Sequence, residues 1–258
     1  MADSLVVMTL PWMIRACLLF GIASRFATTA EAQGAAGSNI SLPALSQNTS
    51  AAQAAGLHFA TPPYPWSATF DADIRRFMTV YRTNTGASLD TSTLQLLPPL
   101  PVYTVAPRVF INGERLQSPP PAMYLYPVEV SGNILAVAMV QVDQSPLSAH
   151  VAGVNFGAFR ELAWLATKQL PSLPHVKAGA YEVRVLLSPG IRLVALWLKS
   201  GAGGGDLIYL YSPPLPSTPE MSDAHIYPMD VFMKVIQPYA LEMTPPVLIP
   251  GATPAIHG

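Results

Sequence analysis

The stretch Tyr181–Tyr211, YEVRVLLSPGIRLVALWLKSGAGGGDLIYLY, constrains this chain more than any other, because its apolar residues alternate and its breaks carry turn chemistry. It predicts three successive strands: Tyr181–Leu187, Ile191–Lys199 and Leu207–Tyr211. The first break, Ser188-Pro189-Gly190, combines a residue that presets φ with one that accepts positive φ. A loop of two or four residues there sets Leu187 opposite Arg192, Val185 opposite Val194, Val183 opposite Leu196 and Tyr181 opposite Leu198. The second face then pairs Leu186 with Leu193, Arg184 with Ala195 and Glu182 with Trp197. Both faces are apolar enough to need cover. The second break, Ser200–Gly205, is rich in glycine, but it lacks a Lys-Ser/Thr pair and leads into a strand. It therefore reads as a strand connection and not as a phosphate loop.

Hydropathy outside this stretch predicts the domain plan. Arg15 precedes the apolar run Ala16–Ser24, and Ala30-Glu31-Ala32 offers a cleavage pattern, so residues 1–32 are expected to be an export leader. The run falls short of the roughly twenty residues a membrane span needs, so no span is expected after leader removal. The destination is periplasmic or extracellular. Cys17 is the one cysteine of the chain, which leaves the exported part without thiol chemistry. Residues 33–66 are poor in large apolar groups and are expected as a disordered linker, followed by a single domain over 67–240 and a loosely ordered tail over 241–258.

Within that domain, Phe70, Ile74, Phe77, Met78 and Tyr81 recur at helical spacing from a start near Thr69. Leu94–Pro107 carries four prolines and is expected to be an extended connection. Asn112-Gly113 between Val109–Ile111 and Glu114–Leu116 is a hairpin signal, and a second hairpin joins Met123–Val130 to Ile134–Val142 through Ser131-Gly132-Asn133. Ala136 and Ala138 offer a small-residue strand face to a helix expected over Asn155–Leu170. Prolines 213–219 suggest a stiff crossing segment, and a last helix is expected from Pro228 to Ile236. The resulting fold class is α+β, with an antiparallel sheet of about five strands and helices on one face. Its element order loosely resembles the profilin-like and roadblock-like layouts, without a shared motif.

No HExxH, paired-carboxylate helix, CxxC or GxGxxG pattern occurs. No catalytic residue and no cofactor are assigned. Charged residues make up 11% of the chain and the net charge is −1, against a usual charged share of about 25%, so nucleic acid is an unsuitable partner. The candidate sites are weaker constellations. Tyr124 with Tyr126 and Tyr209 with Tyr211 would form an aromatic platform if exposed together, and a helix over them would make them core. Arg184 near Trp197 and Glu182 gives a cation–π contact that is either structural or the floor of a ligand pocket. His225, Met229 and Met233 set out imidazole and thioether groups that suit copper(I), at a spacing equally suited to a core stripe. Asp143, Ser145, Ser148 and His150, expected on a loop, hold the residue types of a hydrolytic triad without a strained nucleophile turn. Low charge and two-faced apolar strands favour an exported, non-enzymatic domain that binds a protein partner or itself. The alternative is a small periplasmic hydrolase or ligand-binding protein.

Overall fold

The computed structural model describes residues 56–62, 64, 68–85, 93–144, 147–177, 180–201, 205–212 and 226–244. The predicted meander is present as β7 (Tyr181–Ser188), β8 (Leu193–Ser200) and β9 (Leu207–Ser212). Before it come β1 (Leu57–His58), β2 (Leu94–Leu96), β3 (Leu100–Thr104), β4 (Met123–Val130), β5 (Asn133–Gln144) and β6 (Leu147–Asn155); β10 (Ile226–Pro228) follows. The strands form one 10-stranded sheet in the order β10-β9-β8-β7-β3-β4-β5-β6, with β1 added to β7 and β2 to β4. The β1–β7 and β3–β7 pairs are parallel and the others antiparallel. The expected five-stranded antiparallel sheet is therefore corrected to a large mixed one, and the profilin-like and roadblock-like comparison falls with it. The missed strands came from segments whose prolines or polarity masked their alternation. Pro101 is tolerated in β3 because pairing with β7 begins only at Val102, so its missing N–H takes no ladder bond on that side.

The helices are α1 (Ala68–Thr85), α2 (Pro107–Ile111), α3 (Ala158–Trp164), α4 (Pro174–Lys177) and α5 (Met229–Met243). A π-turn at Leu165–Gln169 and a 3₁₀ turn at Leu170–Ser172 extend α3. They cover both faces of the sheet, not one. On the first face Leu162, Ala163, Ala166 and Leu170 of the α3 segment pack on Leu125, Val137, Val183, Val185, Leu196 and Leu198. On the second, α1 places Phe70, Ile74 and Met78 over Tyr124, Tyr126, Ala136 and Ala138. Separately, α5 places Phe232, Ile236 and Ala240 over Leu186, Ala195, Trp197 and Ile208. Two-sided cover follows from strands that are apolar on both faces.

Asn112-Gly113 closes α2 and makes no hairpin: the Gly113 N–H donates to the Phe110 carbonyl and the Glu114 N–H to that of Val109, at 3.2 and 2.8 Å, with Gly113 at φ 65°. That is the double bond pattern of a Schellman cap. Pro107 at the first turn of α2 supplies the matching start signal. The helix expected over Asn155–Leu170 begins at Ala158, since Asn155 ends β6. It packs on the face opposite Ala136 and Ala138, whose true partner is α1. The segment expected as a linker contributes β1, with Leu57 fully buried, and α5 runs through Pro238 to Met243. The β4–β5 hairpin stands as expected, its turn formed by Ser131 and Gly132 at φ 50° and 81°. Among the described residues, no helix is long and apolar enough to cross a membrane. The leader, the crossing segment 213–219 and residues 245–258 of the tail lie outside the described residues.

Candidate binding groove

Because α1 and α5 cover separate parts of the second face, a seam remains between them near the start of β7. A groove of about 790 Å³ opens there, lined among others by Pro101, Tyr103, Pro121, Tyr124, Glu182, Arg184 and Lys199. Its size falls in the usual range for small-molecule sites.

Arg184 is the anchor of this groove. The β7–β8 register is shifted by two residues from the expected one, so Arg184 lies directly opposite Trp197 and not opposite Ala195. The shift comes from the loop: Pro189–Ile191 forms a 3₁₀ turn and Arg192 takes a left-handed φ of 53°, which closes the strands at Ser188 and Leu193. An even shift preserves facing, so Val183, Val185, Leu196 and Leu198 keep the core side that their alternation predicted. The guanidinium carbon of Arg184 sits 4.8 Å from the centre of the Tyr103 ring and 4.9 Å from that of Trp197. Its Nε and Nη2 donate to the two Glu182 oxygens at 3.0 and 2.9 Å, and Nη1 donates to Ser118 Oγ at 2.6 Å. The two rings meet edge to face with centroids 5.7 Å apart, and a planar cation set against both, with its fork filled by one carboxylate, has little rotational freedom.

Asp206 organises the neighbouring edge. It accepts from Trp197 Nε1 at 2.9 Å, from Lys199 Nζ at 3.1 Å and from the Ser200 N–H at 3.0 Å. The glycine-rich connection thus ends in a carboxylate that ties back to β8, a role with no signal in the sequence except Asp206 following a turn. Burial raises the Tyr103 hydroxyl pKa, although the Arg184 charge pulls it back, and burial with Tyr103 and Glu182 nearby raises that of Tyr124. Both hydroxyls therefore remain protonated donors at neutral pH.

The other sequence candidates are dispersed. Tyr124 and Tyr126 are buried under α1 on the second face, while Tyr209 and Tyr211 belong to the first, so the four rings do not form one platform. Tyr126 Oη lies 3.1 Å from Tyr64 Oη. Tyr211 donates a short hydrogen bond to Glu161 in a smaller hollow of about 420 Å³, beside the half-exposed Trp164. Met229 and Met233 pack against the α5 core, and His225 lies outside the described residues. Among the described residues, no cluster of three or more His, Cys, Asp or Glu could hold a metal. The expected loop at 143–150 is a hairpin between β5 and β6. Asp143 Oδ2 accepts from Ser148 Oγ at 3.1 Å and lies 3.7 Å from His150 Nδ1. Serine and histidine both approach the carboxylate, whereas a triad requires the histidine between the other two. Ser145 lies outside the described residues.

Comparison with protein-family models, with curated proteins and with solved structures finds no match. Tyr103, Ser118 and Asp206 escaped the sequence reading. Alternation through Leu100, Val102 and Tyr103 was the signal available for the first; Ser118 reaches Arg184 across 66 positions and had none.

Proposed function

We propose that this chain is an exported, non-enzymatic ligand-binding domain that takes a small molecule in the groove above Arg184. The observation that carries this reading is a buried guanidinium, held by two rings and a carboxylate, at the wall of an open groove. A charge kept at such a place is a recognition element with its geometry set in advance. The leader expected from residues 1–32 assigns the activity to the exported side. Titration of the isotope-labelled protein with a panel of small organic solutes should move the Trp197 indole N–H and the Ser200 and Gly201 amides together. Shifts confined to other surfaces, with those three unmoved, would remove the groove reading.

Partner binding or self-association has support from a different place. Among the described residues strand β6 is a sheet edge of nine residues, and α1, which packs over it, exposes Phe77 and Val80 at 41% and 45%. An open edge beside exposed apolar groups suits pairing with another chain. Sedimentation that stays monomeric up to about millimolar concentration would rule out self-association of any strength relevant to a stable complex.

A further inference from the structure

Resting on the groove reading above, the geometry points to a ligand class: a carboxylate with a flat apolar body. Both Glu182 oxygens accept from Arg184, and Asp206 already accepts from the indole, the ammonium and a backbone N–H. Each of the four carboxylate oxygens is thus engaged internally. The donors of the site are not all engaged, since a guanidinium carries five N–H groups and the bonds from Arg184 use three. Lys199 directs its ammonium at one carboxylate while its side chain stays 40% exposed, and the protonated hydroxyls of Tyr103 and Tyr124 add to the surplus. The charged lining residues are Arg184, Lys199 and Glu182, and Asp206, paired with Lys199 at the groove edge, brings the local sum to zero. Two paired cations whose N–H groups are not all used can still donate to the acceptor oxygens of a carboxylate. Tyr103, Tyr124, Pro101 and Pro121 line the same space and supply apolar surface for a planar body.

The test uses phenylacetate, its neutral isostere phenylacetamide and acetate, each titrated into the whole protein while the Trp197 indole N–H resonance is followed. Phenylacetate is expected to bind about tenfold more tightly than either comparison compound and to weaken with added salt. Lys199→Gln, at a half-exposed position, should reduce phenylacetate affinity by about threefold or more and phenylacetamide affinity by less. Equal binding of the acid and the amide at Trp197 would overturn the carboxylate assignment while leaving the groove as a binding site. No change at Trp197 with any of the three up to about 10 mM, a range that captures weak fragments, would overturn both.

Discussion

Arg184 shows how a single charge can be buried in this chain. Its guanidinium exchanges water for two aromatic rings, a carboxylate and a hydroxyl, so most of its desolvation is offset. Removing it alone should therefore cost more than the sum of its contacts suggests, because Glu182 is left facing the groove without its partner. We expect Arg184→Met to lower unfolding free energy by about 2–4 kcal/mol. Adding Glu182→Gln should recover about 1 kcal/mol or more, since the orphaned charge is then gone. Urea unfolding of the two single variants and the double variant measures this directly. Strict additivity would show that the pair is uncoupled. Arg184→Lys should not substitute, because an ammonium offers neither a fork to Glu182 nor a flat face to two rings.

The β7–β8 hairpin packs closely against α2. At Gly190 an added Cβ would stand 2.6 Å from Pro107 Cγ, the proline that starts α2. Helix α2 is in turn tied to α5 by Gln237 Nε2, which donates to the Ile111 carbonyl at 2.7 Å. Gly190 thus sets how closely the hairpin, the short helix and the helix covering β8 can approach. Gly190→Ala should destabilise the fold by about 1–3 kcal/mol through overpacking, and thermal unfolding would register it. Wild-type stability in this variant would mean that α2 moves aside freely.

The whole molecule keeps three hydrophobic clusters on one sheet, and buried tyrosines make its stability depend on alkaline pH. Tyr126 is held up to about 12, chiefly by burial, with the Tyr64 bond opposing and Tyr124 adding. Tyr64 is raised further, by burial first and then by its bond to Tyr126. Unfolded tyrosines titrate near 10, so between about pH 10 and pH 12 the unfolded chain has lost protons that the folded chain retains. Stability is then unaffected by these groups below about pH 10 and falls above it, by about 1.4 kcal/mol per pH unit for each of the two rings. Tyr211, also pushed up to about 12, principally by burial with Glu161 adding, is less enclosed and contributes less. Urea midpoints of wild type and Tyr126→Phe across this range should converge as pH rises, because the variant loses one of the titrating groups. Parallel curves would contradict the assignment.

Alternation and turn residues were enough to place β4, β5, β7, β8 and β9 and the helices α1, α3 and α5, because side-chain period and positive-φ demands act over a few residues. They were also enough to sort the side chains of β7 and β8 between the two faces, since an even slip leaves each side chain on its own face. Long-range packing settled everything else. Asn-Gly serves a hairpin and a helix cap equally well, and Pro107 with the sheet behind it made the cap. Which helix covers Ala136 and Ala138, whether Leu57 joins β7, and how Tyr103, Ser118 and Asp206 meet around Arg184 depend on contacts between residues far apart in the chain. Such contacts form only when the sheet closes, and they leave no periodic trace in the residues that make them.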